Sequence, residues 1–285
     1  SSALWQTMAA LNEAVAAIDL AAEPTTIDLS DAVVEGIARQ IRSDGFAVVD
    51  GALGDAHAAA LRSSCLAVDK TASTIAEGTK MTVDGKRRDD VIAWLKKSDD
   101  AAVAAHRLAM DALRAKLEAA LALKMDSSSF MTAQYAAGSA GYVRHRDSAP
   151  RRPSGRKLTA IYYLNPAWTD SDGGELRIWP DSCAEAYVGG ARVDAGPHRD
   201  LAPRHDRLLV FRSALEHAVL PSRADRLALT TWFFNKLELG LELIAEKRAL
   251  RQAREVEYEC ERGCGFRGGF DAVAAHEATC VAAAQ

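Results

Sequence analysis

The chain has 285 residues, of which 48% are hydrophobic and 26% charged, and its formal net charge at pH 7 is −4. This length suffices for one large domain and a small one. The mildly acidic balance argues against a general nucleic-acid binder, which usually carries a basic face. No apolar run approaches the length of a membrane span and no signal-peptide pattern opens the sequence, so we expect no membrane partner.

The helical spacing of apolar residues predicts an amphipathic helix over residues 1–20 and a second one over residues 29–43. Glycines bound a predicted strand at residues 45–51, and a short helix is expected over residues 55–68. Cys65 lies in that helix, where we expect it to be a small buried apolar residue.

Residues 77–94 differ in composition from the segments before them, because many charged residues flank the turn signal Asp84-Gly85. That signal predicts a β-hairpin, which could also be a solvated hairpin without a role. Residues 99–122 form the strongest predicted helix. His106 lies on it, and we expect a surface or packing residue rather than a ligand. We also expect three further histidines on the surface: His57, His198 and His205.

From residue 129 to residue 234 the pattern changes to short apolar runs that Gly, Pro and Asp interrupt, and helix is predicted again over residues 236–256. Such runs are typical of an antiparallel double-sheet β-domain, whose mouth suits a small metal site. The predicted fold class is mainly β with flanking helices (α+β): a double-stranded β-helix, or jelly-roll, with N-terminal helices and a small zinc-binding module. The predicted boundaries are 1–44 for an N-terminal helical segment, 45–238 for the main domain, 239–257 for a helical linker and 258–285 for the module.

The segment Tyr-Val-Arg-His-Arg-Asp carries His145 and Asp147 two positions apart. On an extended segment both side chains point to the same face. Together they supply two ligands of the facial triad that holds non-haem Fe(II), and His217 can complete it. Alone, His-x-Asp is a weak signal and is more often a solvated loop pair. Arg226 follows His217, and its planar guanidinium can pair with the distal carboxylate of a keto acid.

Four stretches occur in the order and spacing of one known family: residues 141–147, 159–165 (Thr-Ala-Ile-Tyr-Tyr-Leu-Asn), 173–180 (Gly-Gly-Glu-Leu-Arg-Ile-Trp-Pro) and the series Phe211, His217, Arg226, 232–234. Over residues 45–235 the chain resembles the oxygen-sensing prolyl 4-hydroxylases of the Egl-nine (HIF prolyl hydroxylase) family. The resemblance implies a dioxygenase that uses Fe(II), 2-oxoglutarate and O₂, with ascorbate as a further candidate cofactor.

The resemblance also implies roles around the iron. His145, Asp147 and His217 would bind Fe(II), and Arg226 would pair with the C5 carboxylate of 2-oxoglutarate. Further residues would bind or surround the cosubstrate: Tyr163 at the same carboxylate, Tyr135 near its inner end, Leu176 as an apolar wall and Thr230 in the iron pocket. The plain alternative for Tyr163, Leu176 and Thr230 is that they are ordinary core residues on strands.

Substrate contacts are implied by the same resemblance. The end of the charged stretch, Arg88-Asp-Asp90 with Trp94, resembles the mobile finger loop that closes over the peptide in Egl-nine enzymes. The implied contacts are Arg88, Asp90 and Trp94 from this loop, Arg151 and Arg156 from the loop after Asp147, and Trp232. A basic loop can also be merely solvated. Residues 148–158 are more basic and proline-bearing than the family pattern, and residues 181–200 form a longer segment than the family needs, so the accepted peptide can differ.

Five cysteines are present, and three of them lie between residues 260 and 280. An odd count clustered with a histidine favours metal binding over disulfides and predicts a reducing compartment, the cytoplasm, the nucleus or both. The spacing Cys260-x₃-Cys264-x₁₁-His276-x₃-Cys280 predicts a structural zinc site that resembles a CCHC-type zinc finger. Acidic residues surround it, so we expect it to dock a protein rather than nucleic acid.

Three functional hypotheses remain open. The first is hydroxylation of a proline in a protein, with a HIF-like, Skp1-like or translation-factor target. The second is an oxygenase that acts on nucleic acid delivered by the finger, against which the acidic balance and the close family match both argue. The third is a non-catalytic oxygenase fold whose finger is the working part, and failure to bind iron would favour it.

Overall fold

The computed structural model describes residues 29–77, 80–96, 100–148, 155–180, 187–188, 191–192, 197–255 and 257–280. The predicted helix over residues 1–20 and the predicted contact Arg151 lie outside the described residues. None of the helices in these ranges is long and apolar enough to cross a membrane.

The described helices follow the predicted order along the chain. They are α1 (Asp31–Ser43), α2 (Asp55–Ala67), α3 (Ala101–Leu121), α4 (Lys236–Glu255) and α5 (Phe270–Thr279). The strands are β1 (Phe46–Asp50), β2 (Thr71–Ala72), β3 (Ile75–Glu77), β4 (Lys80–Thr82), β5 (Val91–Trp94), β6 (Ser127–Tyr135), β7 (Tyr142–His145), β8 (Arg156–Tyr163), β9 (Leu176–Trp179), β10 (Tyr187–Val188), β11 (Ala191–Arg192), β12 (Arg199–Leu201), β13 (Arg207–Arg212), β14 (Glu216–Val219), β15 (Arg226–Phe234), β16 (Tyr258–Glu259) and β17 (Arg267–Gly268).

Two antiparallel sheets form the main domain. The larger has seven strands in the order β1-β13-β8-β15-β6-β5-β2, and the smaller has four in the order β12-β9-β14-β7. Their strand pairs are all antiparallel. The predicted jelly-roll core is therefore confirmed, with helices added as expected.

The alternation of side chains along β8 shows how the large sheet separates two cores. Leu158, Ala160 and Tyr162 belong to the cluster that packs against the helices, whereas Ile161 and Tyr163 belong to the cluster between the sheets. This follows from the two-residue period of a strand. The side chains that face the smaller sheet are therefore the ones that can reach a site between the two sheets.

Helices α1, α2 and α3 cover the outer face of the large sheet. Ile37 and Ile41 of α1 and Met110 and Leu113 of α3 are almost fully buried there. Ser30 and Asp100 cap α1 and α3 by accepting hydrogen bonds from the backbone N–H three residues later. Since the helices occupy this face, the opposite face of the sheet is left for the site.

Two expectations for exposed histidines were wrong. His57 is half-buried, and its ring stacks at 5.7 Å on that of His106, which is 1% exposed. The side chain of His205 is 12% exposed and lies 3.2 Å from Asp55. His57 is enclosed because α2 packs against α3, and His205 is enclosed beside the first residue of α2. The sequence alone reveals neither contact. His198 is exposed, as predicted, and Cys65 is fully buried.

The predicted hairpin exists, but its turn is not at Asp84-Gly85. β3 pairs with β4 from Glu77 opposite Lys80 to Ile75 opposite Thr82, so the connection precedes Asp84. Asp84 instead begins a second turn, in which its carbonyl accepts hydrogen bonds from the N–H groups of Arg87 and Arg88.

Candidate active site

Three metal-ligand side chains converge between the two sheets. His145 ends β7, Asp147 follows two residues later, and His217 stands directly opposite His145 on β14. Asp147 Oδ1 lies 3.8 Å from His145 Nε2, and Asp147 Oδ2 lies 3.9 Å from His217 Nε2. The three ligand atoms lie within 4.8 Å of one another. Two imidazoles and one carboxylate on one side of a cavity are the facial triad of non-haem Fe(II) sites, so the residues fit this metal.

Both imidazoles are oriented by backbone carbonyls. His145 Nδ1 lies 2.9 Å from the carbonyl oxygen of Val143, and His217 Nδ1 lies 3.0 Å from that of Leu215. A carbonyl can only accept, so Nδ1 carries the proton in each ring and Nε2 presents its lone pair to the site. Burial, together with the neighbouring His217, lowers the pKa of His145, which favours the neutral form that binds a metal.

Asp147 is held by two donors that come from the large sheet. Thr159 Oγ1 donates a hydrogen bond of 2.8 Å to Asp147 Oδ2, and Trp232 Nε1 donates one of 3.0 Å to the same oxygen. Burial opposes ionisation, but His217, His145 and the Thr159 hydroxyl outweigh it and hold the pKa of Asp147 below its usual range. The carboxylate is therefore ionised, and Oδ1 is left for a cation.

A second buried group lies deeper in the cavity, around Arg226. Arg226 is 3% exposed, and its Nε donates a hydrogen bond of 2.7 Å to the carbonyl oxygen of Gly174. Its Cζ lies 5.1 Å from the ring centre of Tyr135 and 5.2 Å from that of Tyr163. Within the described part of the chain, the buried Tyr163 hydroxyl has no hydrogen-bond partner.

This arrangement fits a carboxylate ligand. Burial raises the pKa of Tyr163, so its hydroxyl stays protonated and can donate. The terminal nitrogens of Arg226 form a planar fork that suits a carboxylate. Gly174 is required here, because an added Cβ would lie 2.9 Å from Ser222 Oγ and 3.0 Å from Arg226 Cδ, at a φ of +73°. A buried hydroxyl without a partner among the described residues, beside a buried cation, fits an anionic ligand.

One cavity of about 490 Å³ joins the metal triad and the arginine site. Leu176 and Thr230 also line it, in agreement with the positions implied for them, and Leu176 is 1% exposed. A cavity of this size, in which charged and polar side chains converge between apolar and aromatic walls, can hold a small molecule.

The rim of the cavity carries several of the predicted substrate contacts. Trp94 is 51% exposed, and its ring lies 5.5 Å from that of Trp232. The guanidinium of Arg156 lies 4.9 Å from the Trp232 ring. Arg88 lines the cavity as well. These residues can reach a ligand at the mouth, and their contact with a substrate remains a prediction.

Asp90 differs from the expectation of a direct substrate contact. It is 2% exposed, and its two carboxylate oxygens accept hydrogen bonds of 2.6 and 2.8 Å from Arg88. An ionised carboxylate must be paired when it is buried, and Asp90 is paired with Arg88. Asp90 therefore holds the Arg88 guanidinium in place and does not itself line the cavity. The sequence shows only two charges near a turn and cannot distinguish these arrangements.

Sequence reasoning missed Thr159 and Tyr142. Thr159 begins one of the quoted family stretches, but only the closure of the sheets brings it to Asp147. The Tyr142 ring stacks on the His145 ring, with centres 3.7 Å apart. The sequence carries no signal for this contact, because residues three apart on a regular strand face opposite sides. The two rings meet where the pairing of β7 with β14 shifts register.

A second cluster of metal ligands lies in the C-terminal module. The ligand atoms of Cys260, Cys264, His276 and Cys280 lie within 4.8 Å of one another. Cys264 Sγ is 3.0 Å from His276 Nε2, and the Phe266 ring stacks on His276 at 4.2 Å. The backbone N–H of Phe266 lowers the pKa of Cys264 to about 7, which favours the thiolate. This donor set could hold a metal ion in tetrahedral geometry.

Comparisons with known proteins agree with this geometry. Residues 130–234 match the sequence model of the 2OG-Fe(II) oxygenase superfamily. Prolyl hydroxylase EGLN3 of Mus musculus is 39% identical over 116 residues, which are 40% of this chain and 43% of that protein. Egl nine homolog 1 of Homo sapiens is 39% identical over 108 residues, 37% of this chain and 22% of that protein. The chain thus spans less than half the length of these relatives.

Two solved structures share the fold. A prolyl hydroxylase from Trichoplax adhaerens, in complex with a hypoxia inducible factor oxygen degradation domain peptide fragment, aligns with a TM-score of 0.64 and 25% identity over 74% of this chain and 93% of that one. A prolyl-4-hydroxylase from Pseudomonas putida aligns with a TM-score of 0.60 and 27% identity over 71% of this chain and all of that one (100%). Residues 130–234 are therefore similar to the 2OG-Fe(II) oxygenase superfamily, and the chain is similar to the Egl nine prolyl hydroxylases.

Proposed function

We propose that this protein is an Fe(II)- and 2-oxoglutarate-dependent dioxygenase that 4-hydroxylates proline in a protein substrate. The observation that carries the proposal is the single cavity that joins the triad of His145, Asp147 and His217 to the buried pair of Arg226 and Tyr163. Metal ligands alone would suit many reactions, and a buried arginine alone could be structural. Their common cavity suits a keto acid that spans from the metal to the guanidinium.

Each residue then has a task. Bound Fe(II) and 2-oxoglutarate would supply the activation of O₂ and the oxidative decarboxylation that yields succinate, CO₂ and a hydroxylated product. Arg226 and Tyr163 orient the cosubstrate by its distal carboxylate. Thr159 and Trp232 fix the carboxylate plane of Asp147. The buried side chain of Leu176 helps to exclude water from the cavity.

The relatives support proline in a protein as the substrate class. Those named above are prolyl hydroxylases, the Trichoplax enzyme was solved with a peptide, and a hypoxia-inducible factor prolyl hydroxylase of Caenorhabditis elegans is 32% identical over 133 residues. At the mouth of the cavity the side chain of Trp94 is 51% exposed, so a bound peptide could cover it. We propose an oxygen-sensing role by analogy, and a HIF-like, Skp1-like or translation-factor protein as the target. Ascorbate remains a proposed auxiliary reductant.

We further propose that the C-terminal cluster binds structural Zn(II) and that this module docks a protein partner. A unit of this size cannot build a sufficient core, so metal binding would supply its folding energy. The free thiols of Cys65, Cys260, Cys264 and Cys280 are consistent with a reducing compartment, and we propose the cytoplasm, the nucleus or both.

The deciding experiment is anaerobic binding of Fe(II) and 2-oxoglutarate, followed by mass spectrometry of proline peptides after air is admitted. We expect a proline to gain the mass of one oxygen atom, and expect the gain to vanish in His145→Ala and Arg226→Ala. Arg223→Ala is a matched control, because Arg223 is exposed and donates to the carbonyl oxygen of Ser171 outside the cavity. Cosubstrate turnover without any modified proline would refute the substrate class, and failure to bind iron would refute the enzyme.

A further inference from the structure

Asp89 links two segments that are 50 residues apart in the sequence. It follows the β3–β4 hairpin, and its carboxylate reaches residues 138–141, which we call the β6–β7 turn. Oδ1 accepts hydrogen bonds from Ser139 Oγ at 2.6 Å and from the N–H of Gly141 at 3.3 Å, and Oδ2 accepts one from the N–H of Ala140 at 2.7 Å. Hydrogen bonds to an ionised acceptor are stronger than neutral ones, so this single side chain fastens the two segments together.

The β6–β7 turn is itself fixed to the loop that follows the strand of His217. The N–H of Gly138 donates to the carbonyl oxygen of Ser222 at 2.8 Å, and the N–H of Ser222 donates to that of Ser139 at 3.0 Å. A Cβ on Gly141 would lie 2.2 Å from the carbonyl oxygen of Val219, so only glycine permits this approach. The turn therefore provides a firm support for Asp89.

From Asp89, contacts continue to the wall of the active-site cavity. The carbonyl oxygen of Arg87 accepts a hydrogen bond of 2.9 Å from the N–H of Val143. Arg88 Cζ lies 4.8 Å from the centre of the Tyr142 ring, and the Tyr142 ring also stacks on that of His145. Arg88 and Tyr142 line the cavity, whereas Asp89 does not. Asp89 can thus influence the cavity only through its neighbours.

We propose that Asp89 is a positioning residue that fastens the base of the β3–β4 hairpin to the β6–β7 turn. It thereby holds Arg88 and Tyr142 in the part of the wall that meets the substrate. The role in substrate binding rests on the proposed function, whereas the fastening of the hairpin does not. Loss of the carboxylate would release residues 87–90 from the turn while leaving the metal ligands and the Arg226 pair intact.

Trypsin provides a test that needs no substrate, because it cleaves after Lys86, Arg87 and Arg88. In the full chain loaded with Fe(II) and 2-oxoglutarate, we expect cleavage after Lys86 to be roughly tenfold faster in Asp89→Ala than in the wild type, because proteolysis follows the population of the released segment. Each rate is divided by the rate for the same chain unfolded in urea, which removes the direct effect of the substituted residue on trypsin. Asp89→Asn keeps one neutral acceptor, so its cleavage rate should lie between those of the wild type and Asp89→Ala. Asp225→Ala is a matched control: Asp225 accepts from the N–H of Ala137 beside the same turn and does not contact residues 87–90. Equal rates in Asp89→Ala and the wild type would overturn the proposal.

Kinetics test the consequence for the substrate. With a proline peptide that the wild type hydroxylates, we expect the KM of Asp89→Ala for this peptide to rise roughly tenfold. The value of kcat and the dissociation constant of 2-oxoglutarate should stay within about twofold of the wild type. A general structural defect would lower kcat and weaken cosubstrate binding together, and that result would contradict the positioning role. If no proline peptide is hydroxylated by the wild type, the proposed function fails, and the trypsin result still decides whether Asp89 fastens the hairpin.

Discussion

The indole Nε1 of Trp232 donates a hydrogen bond of 3.0 Å to Asp147 Oδ2. The sequence resemblance implied a peptide contact for Trp232, and the structure adds a role toward the metal. One edge of the ring orients a metal ligand, while its face lies 5.5 Å from the exposed Trp94. The rim of the cavity and the triad of His145, Asp147 and His217 are therefore connected through one side chain.

Replacing Trp232 by Phe should separate these roles, since the ring surface remains and the N–H is lost. We expect Fe(II) affinity to fall roughly tenfold or more, as for other hydrogen bonds that orient metal ligands. Anaerobic Fe(II) titration measures it. Trp94→Phe is the control, because Trp94 contacts Trp232 and no metal ligand by hydrogen bond in the described structure. If Trp232→Phe weakens peptide binding and leaves the iron affinity unchanged, Trp232 contributes to substrate binding only.

Tyr163 and Tyr162 are adjacent on β8 but face opposite sides of the sheet, so they form a natural pair of tests. The Tyr163 hydroxyl lacks a partner among the described residues, whereas the Tyr162 hydroxyl donates a 2.6 Å hydrogen bond to Asp206. Tyr163→Phe should leave the free energy of unfolding nearly unchanged and weaken 2-oxoglutarate binding by roughly tenfold.

Tyr162→Phe should have the opposite effect. It leaves Asp206 with one partner fewer, so we expect destabilisation of about 1–2 kcal/mol with unchanged cosubstrate affinity. Urea unfolding and calorimetric titration of 2-oxoglutarate measure the two quantities. Equal cosubstrate affinities for both variants would show that Tyr163 is a core residue only.

The buried His106 should make the protein sensitive to acid. Burial, with a contribution from His57, lowers the pKa of His106 from 6.5 to about 3. Between these values the unfolded chain binds a proton that the folded chain does not, so stability falls as the pH falls below 6.5. From this group we expect a loss of about 2 kcal/mol by pH 5.

His106→Phe removes the titrating group and keeps a ring against Phe130 and Tyr162, with which His106 packs. Urea unfolding at pH 7 and pH 5, followed by tryptophan fluorescence, should show a smaller difference for the variant than for the wild type. Some difference will remain, because burial also lowers the pKa of His57. An identical pH dependence in the two proteins would contradict a buried neutral His106.

The parts of the fold that the sequence predicts are those with local causes. The period of apolar residues predicts helix over residues 99–122, and α3 spans Ala101–Leu121. Glycines predict a strand at residues 45–51, and β1 spans Phe46–Asp50. Both assignments depend on neighbours along the chain, so no knowledge of the tertiary structure is needed.

The parts that it does not predict depend on contacts between distant segments. His145 and Asp147 share a motif, but Thr159 reaches Asp147 only when β8 packs against the smaller sheet. Asp90 and Asp89 are adjacent acidic residues, and only the fold pairs one with Arg88 and the other with the β6–β7 turn. Charge and turn propensity cannot distinguish two such neighbours, because the packing of this segment against the β6–β7 turn decides which carboxylate meets the turn and which is left to pair with Arg88.

The C-terminal cluster gives the last prediction. Metal analysis should find one zinc per chain, and Cys264→Ala should lose it, because a structural zinc site needs all four ligands. With zinc removed by a chelator, amide hydrogens of α5 should exchange as in an unfolded chain, since zinc binding contributes most of the folding free energy of such modules, about 10–16 kcal/mol. Cys65→Ala is the control, because Cys65 lies in the core beneath the helices and should not affect zinc content. Protection of α5 that survives complete removal of zinc would show that the module folds by its own packing and that its cysteines do not form a structural metal site.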